Sequence, residues 1–569
     1  MISFFSWCTG LHRKTKEYTE KQGQYQTSKP TDQSNEIHFK TAYIDVPCAW
    51  AAPENVLIFQ AFEWHVPADR CHWNRLRRTL PSLKSLGIDQ IWVPPGCKGM
   101  DPAGNGYDIY DLFDLGEFDQ KGAISTKWGS KRELMEFIHE ARSLEIGIIW
   151  DAVLNHKAGA DFPEKFDAVQ VDPEERNVAI SKPLEIDGWV GFDFAGRGES
   201  YSSMKYHWQH FNGVDWDDKS KHQAIYKILA PGKGWASDVS SENGNYDYLM
   251  FANLDHSHPE VRQDLLNWGT WISNDLSLSG MRLDAAKHFS TAFQKDFVAH
   301  VRTSNPDFFV IGEYWTGHIP SLLQYLDQVG HTVAAYDVPL LEKFSKISHA
   351  RAADLRGIFD DTLVQCRPDH AVTIVANHDT TLIAPNFKLI SYALILLRKG
   401  GFPCLFYGDV YGIRSNVPDP MTPACDGKLP ILAKARKVYA NGEQKDYFDR
   451  RNCIGFVRAG VPGTRPGLAC IISNAGSNRK RMFIGQDNTR QKWVDLLGNH
   501  DASVIIDRRG YGVFPVNAMS VSVWVDSAIN RDEQEFLVNG LFAVKPVRII
   551  IICFGSISVS HQFSMYLMS

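Results

Sequence analysis

Four short stretches place carboxylates and histidines at the ends of apolar runs. They are Asp151-Ala-Val-Leu-Asn155-His156, Gly280-Met-Arg282-Leu-Asp284-Ala-Ala-Lys287-His288, Ile311-Gly-Glu313-Tyr-Trp315 and Val375-Ala-Asn377-His378-Asp379-Thr380. A carboxyl group is a nucleophile or base when ionised and an acid when protonated, and its surroundings decide which. Splitting a glycosidic bond with retention of configuration needs one of each, about 5–5.5 Å apart. Alternate residues of a strand share a face, so Arg282 and Asp284 point the same way. The guanidinium is expected to keep Asp284 ionised, as a nucleophile must be. Glu313 is followed by Tyr314 and Trp315, and aromatic walls suit a carboxyl acting as general acid. Asp379 ends a third run beside His378, and can stabilise a cationic transition state electrostatically. Asp151 ends a fourth. Arg282–Asp284 alone would read as an ordinary ion pair; four such stretches in this order do not.

Chemistry of this kind needs a scaffold that gathers strand ends. Apolar runs over Val56–Phe62, Gly87–Val93 and Glu145–Trp150 read as strands, and further ones fall near 280–285, 308–313, 332–338, 371–377 and 402–407. Helical spacing separates them. Ser130 with Glu133 makes a capping box before Leu134, Phe137, Ile138, Ala141 and Leu144. Pro259 to Asp275 turns Val261, Leu265, Trp268 and Ile272 to one face. Eight strand–helix units imply an α/β fold, a (β/α)8 TIM barrel, whose catalytic groups sit at the C-terminal strand ends. An open doubly wound sheet is the alternative, but no Gly-rich phosphate turn follows the first strand.

The expected layout is a flexible leader over 1–50, barrel over 51–156 and 258–442, an inserted small domain over 157–257, a C-terminal all-β sandwich over 443–526 and an unassigned tail over 527–569. The insert is Gly-, Asp- and Trp-rich, too long to be a structureless loop inside a compact domain. The tail's apolar run, Val547–Phe554, is too short to span a bilayer.

Composition excludes some functions. A net charge of −6 argues against nucleic acid, which needs a basic footprint. Aromatic residues make up 12% of the chain, with 16 Trp and 20 Tyr; they serve a large core or stack on sugars. Ten cysteines show no CxxC pair. The N-terminus has no basic leader and the chain no Asn-x-Ser/Thr site. A cytoplasmic monomer with neither membrane nor nucleic-acid partners is expected. In and beside the insert, Asn155, Asp247, Asn253 and Asp255 are hard oxygen donors suited to Ca²⁺, and equally ordinary turn formers.

With Phe62-Glu-Trp64, Asn105-Gly-Tyr107-Asp-Ile-Tyr110, Asp114-Leu-Gly-Glu-Phe118 and Glu242-Asn-Gly-Asn-Tyr-Asp-Tyr-Leu-Met250 added, residues 53 to 525 resemble the α-amylase family of glycoside hydrolases (family 13), especially liquefying bacterial-type enzymes and their intracellular fungal relatives. The resemblance implies endo-acting hydrolysis of α-1,4-glucosidic bonds in starch- or glycogen-type glucans and maltooligosaccharides. It implies Asp284 as nucleophile, Glu313 as acid/base and Asp379 as transition-state stabiliser. Substrate binding would fall to Tyr107, Asp151, His156, Arg282, Lys287, His288 and His378. A structural calcium would lie on Asn155, Asp247, Asn253 and the His288 carbonyl. A 4-α-glucanotransferase and a catalytically impaired glucan-binding relative are the alternatives. Three departures stand out. Asn253, Asn212 and Ala236 stand where relatives carry acidic residues, so one calcium is expected rather than a metal triad. The loop after Thr380, over 381–388, is short. The tail has no family counterpart.

Overall fold

The computed structural model describes residues 54–413 and 421–528; the expected leader and nearly all of the tail lie outside them. Eight parallel strands close into a barrel: β1 (Ile58–Gln60), β2 (Gln90–Trp92), β3 (Gly147–Ala152), β4 (Gly280–Leu283), β5 (Phe309–Gly312), β6 (Ala334–Tyr336), β7 (Ala371–Ile374) and β8 (Phe402–Phe406). Closure sets aside the open sheet. The strands are short and apolar because both faces are covered, by helices outside and by packed side chains within. The helix Lys131–Ser143 starts on the expected Ser130–Glu133 capping box and buries Leu134, Phe137, Ile138 and Ala141. Pro at the first turn opens Pro259–Asp275, whose Val261, Leu265, Trp268 and Ile272 are buried.

Register places the chemistry. In the β3–β4 pair Arg282 lies beside Asp151, so a guanidinium and a carboxylate meet at one level of the barrel. Pairing runs on past the strands: the Asp284 amide donates to the Ala152 carbonyl (3.0 Å) and the Glu313 amide to the Leu283 carbonyl (3.0 Å). The ends of β3, β4 and β5 are therefore held in step. Ala285 then takes a left-handed conformation, φ 52°, unfavourable for a residue with a Cβ.

Between β3 and the helix Pro259–Asp275 the chain builds a six-stranded antiparallel sheet, in the order His156–Lys157, Ala252–Leu254, Phe211–Asp217, His222–Ile228, Phe162–Gln170, Leu184–Gly191. Asn253 pairs with His156, which ties the return of the insert to the end of β3. After the last barrel helix come a six-stranded sheet and a two-stranded sheet, Asn478–Phe483 with Tyr511–Val516. They enclose an apolar core that includes Met482, Trp493, Phe514 and Trp524.

Candidate active site

Arg282 is the hub. One terminal nitrogen donates to Asp151 (2.7 Å) and Asp284 (2.9 Å), and the other pairs with Glu313. Glu313 also accepts the amide of Ala285 (2.9 Å), which the left-handed turn aims across the gap. The acid is thus bound to residues on either side of Asp284, and both carboxyls share one guanidinium. Burial lifts the Asp284 carboxyl well above the usual range; Arg282 pulls it back, and Glu313 and Asp151 push it up again. Asp151 is likewise lifted by burial, to about 6. The expectation that Arg282 would simply hold Asp284 ionised is corrected, because the guanidinium serves three carboxylates at once.

Asp151 has both oxygens engaged within the protein, the second by Trp92 Nε1 (3.0 Å) and the Tyr107 hydroxyl (2.9 Å). His378 continues this line. Gln60 Nε2 faces its Nδ1 at 2.9 Å, and Tyr107 Oη faces its Nε2 at 2.8 Å. With the Gln60 amide donating, Nε2 carries the hydrogen and gives it to Tyr107, whose own hydroxyl hydrogen goes to Asp151. Burial, then the Arg282 charge, push His378 down to about 3, so the ring is neutral, as this order of donors requires. The Tyr107 and His378 rings lie 5.3 Å apart and 3° from parallel, and Trp64 continues the stack at 6.0 Å from Tyr107.

Asp379 lies beyond β7 in a tight turn, its amide on Asn377 Oδ1 (3.0 Å) and one oxygen 3.1 Å from His378 Nε2. Its side chain is 52% exposed, against 11% for Asp284 and 14% for Glu313. The short loop that follows is tethered through the Leu382 carbonyl, which accepts from Ser345 and His349. His156 sits below the cleft with Nε2 on the Tyr107 carbonyl (2.8 Å). Lys287 reaches Glu242 (2.9 Å) and the Trp315 carbonyl (3.1 Å). The His288 ring bonds the Tyr246 carbonyl (2.9 Å).

Three of the expected metal donors, Asn155, Asp247 and Asn253, lie in one hydrogen-bonded group. Asn155 Nδ2 faces Asn253 Oδ1 (3.2 Å), and Asn212 bridges Asp247 (2.6 Å) and Asn253 (2.8 Å). Asn155 Oδ1 and Asp247 Oδ1 are buried without a hydrogen-bond partner, and burial lifts Asp247 to about 7. Oxygen atoms left in this state fit a hard cation. Asp255, also a candidate donor by its sequence, instead pairs with Lys233 (2.6 Å). Among the described residues, His210, His258 and Glu260 bring ligand atoms within 4.8 Å of one another. There Nδ1 of His210 accepts the His207 amide (2.9 Å), so Nε2 carries the hydrogen it gives Glu260 (2.9 Å) and has no lone pair for a metal.

Gln60 and Trp92 complete the site and carry no sequence signal beyond their place at strand ends. Lys233, in a Gly-rich turn, reads in sequence as a solvated charge.

The family profile described as alpha amylase, catalytic domain, matches residues 69–446, and that described as alpha-amylase C-terminal matches 468–525. The chain is 42% identical over 487 residues to an alpha-amylase of Bacillus licheniformis, spanning 84% of this chain and 94% of that protein. It is 36% identical over 489 residues to the cytoplasmic alpha-amylase of Escherichia coli (strain K12), spanning 83% and 99%. An Anoxybacillus alpha-amylase structure shares the fold at TM-score 0.55 and 16% identity, covering 83% of this chain and 97% of that one. A γ-CGTase from alkalophilic Bacillus clarkii does so at TM-score 0.55 and 17% identity, covering 83% and 70%. With a catalytic-domain match over most of its length, the barrel and the carboxylates gathered at its strand ends, this chain belongs to the α-amylase family of glycoside hydrolases.

Proposed function

We propose that this chain cuts internal α-1,4-glucosidic bonds of starch- or glycogen-type glucans by double displacement, with Asp284 as nucleophile and Glu313 as acid/base. The observation that carries this reading is the shared guanidinium: Arg282 holds carboxyls from two adjacent strand ends, and the Ala285 amide draws Glu313 across to Asp284. A retaining mechanism requires two carboxyls close together, and the shared guanidinium brings these two to one place. In that mechanism Glu313 gives a proton to the leaving oxygen while Asp284 attacks. Asp379, beyond β7 beside His378, stabilises the cationic transition state. Tyr107 offers its ring to the sugar, and His378 fixes the hydroxyl of Tyr107. Asp151 is a positioning residue, acting through Arg282 and Tyr107. Lys287 and His288 serve the leaving-group side, and His156 supports Tyr107 from beneath.

Asn155, Asp247, Asn253 and the His288 carbonyl would hold one Ca²⁺. Bound there it would supply the positive charge that buried Asp247 lacks, and fasten the insert to the end of β3. A cytoplasmic location is supported by the likeness to the cytoplasmic E. coli protein and by the free thiols of the seven described cysteines. Among the described residues no helix is long and apolar enough to cross a membrane.

Incubation with maltoheptaose in the presence of CaCl₂ tests the reading. Shorter oligosaccharides whose new reducing ends first appear as the α-anomer by NMR are expected. Products longer than the substrate would make the chain a 4-α-glucanotransferase, and no turnover would overturn the assignment.

A further inference from the structure

A cavity of about 400 Å³ lies where the insert returns to the barrel, and Asn212, Lys233, Ala236, Asp247, Asp255 and Ser257 are among its walls. Its two ends are built differently. At one end Asp247 presents an oxygen atom with no protein partner, and Asn212 links it to Asn253, which faces Asn155 behind the wall. At the other, both oxygens of Asp255 are taken. Oδ2 accepts from Lys233 Nζ (2.6 Å), and Oδ1 from the hydroxyl (2.5 Å) and amide (3.0 Å) of Ser257. Lys233 and Asp255 are 7% and 8% exposed. The third carboxylate of the cavity, Asp238, is spent on the start of the helix Thr291–Arg302, on the Ala292 amide (2.8 Å) and the Ser290 hydroxyl (2.8 Å).

Lys233 comes from a turn of the insert, closed by its own amide on the Ala230 carbonyl (3.0 Å). Asp255 lies two residues past Asn253, on the segment running back to the barrel. A lysine seldom buries its ammonium unless a carboxylate receives it. Here the pair spans 22 residues of sequence and joins the far side of the insert to its exit.

We propose that the Lys233 ammonium is a built-in cation of this cavity, doing for Asp255 what a second metal ion would do and closing that end to metal. A single Ca²⁺ is then held at the Asp247 end, with Asn155 and Asn253 behind it. Asn212 and Ala236 agree with this division: neither adds a negative charge to the space between the two ends, so one ammonium suffices there. The count of one ion rests on the calcium reading above; the role of Lys233 in the metal-free protein does not.

The test uses the full chain, stripped with EDTA and titrated with CaCl₂, with calcium counted by elemental analysis and unfolding followed by heat. The wild type is expected to bind one equivalent. Lys233→Met keeps the stem and removes the charge. In EDTA it should unfold about 5 °C or more below the wild type, since breaking a buried pair strands the remaining charge. It should also take up a second, weaker calcium, which restores part of the loss. Adding Asp255→Asn should recover most of the stability in EDTA and abolish the second calcium. Two equivalents in the wild type would overturn the proposal. So would a Lys233→Met protein that matches the wild type in EDTA and still binds one ion. If Lys233→Met does not fold, the double variant decides: folding supports the charge pair, and failure places the cost in lost packing and ends the proposal. A wild type that binds no calcium sinks the metal reading alone, and the EDTA comparison still judges Lys233.

Discussion

Two arcs of the barrel mouth hold the proposed catalytic residues, and they are built in opposite ways. On the β3–β5 arc, Asp151, Asp284 and Glu313 are buried around Arg282, cross-linked by ladder bonds that continue past the strands, and turned by a left-handed alanine. On the β7 arc, Asp379 stands half-exposed on a tight turn, leading into a short tethered loop. The first arc stores charge repulsion and backbone strain, which the surrounding barrel holds in place. The second offers a charge to the cleft at little structural cost. On the proposed roles, the groups that change protonation or form a bond sit where the scaffold is stiff. The group that only has to be negative does not need it.

The largest effects test the chemistry of the stiff arc. Asp284→Asn and Glu313→Gln should each lower kcat on maltoheptaose by about 10³-fold or more. Each also removes one of three carboxylates sharing one cation, so the melting temperature should hold or rise. A fall of several degrees would mean that these carboxylates bind the arc together rather than load it.

Next comes the contrast between hub and rim. Arg282→Met strands two buried carboxylates and a partly buried third, and should cost about 3–5 kcal/mol of stability, measured by urea unfolding. Asp379→Asn should lower kcat by about 10²-fold and leave stability within about 0.5 kcal/mol, because the side chain is largely in water. Equal destabilisation by the two variants would erase the distinction between the arcs.

Their legibility in the sequence differs for the same physical reason. Asp284, Glu313 and Asp379 stand out because an apolar strand that ends in a carboxylate is written in consecutive residues. Arg282 serving three carboxylates is not, because it depends on Arg282 lying level with Asp151 across two strands 131 residues apart. Trp92 and Gln60 look like ordinary strand residues until the closed barrel turns them inward. The barrel was readable from eight apolar runs with helical spacing between them. The insert's sheet was not, because its longest strand, Phe162–Gln170, carries charges on its exposed face and its shortest are two or three residues long. Lys233 and Asp255 lie on opposite sides of that sheet's chain path, and their pairing needs the fold.

A smaller effect tests the line that joins the arcs. Tyr107→Phe keeps the ring and removes the hydroxyl between His378 and Asp151. One lost hydrogen bond of this kind is worth about 1–1.5 kcal/mol, so kcat/KM should drop about tenfold. A larger drop would show that the hydroxyl holds both arcs in register.

The smallest effect concerns protons at the meeting point. Burial holds His378 at about 3, below the 6.5 of an unfolded histidine. The folded ring stays neutral while the unfolded one takes up a proton. Its contribution to stability is therefore present above pH 6.5 and is lost as pH falls from there towards 3. Between pH 6.5 and 5.5 the loss should be about 1 kcal/mol. His378→Gln keeps an amide that can donate to Tyr107 and does not titrate. The stability gap between wild type and variant should therefore narrow by that amount over this interval, read from urea unfolding at the two pH values. A gap that stays constant or widens would mean that the folded ring also carries a proton in this range. That would reverse the order of donors from Gln60 to Asp151, and with it the link through which the exposed arc is tied to the buried one.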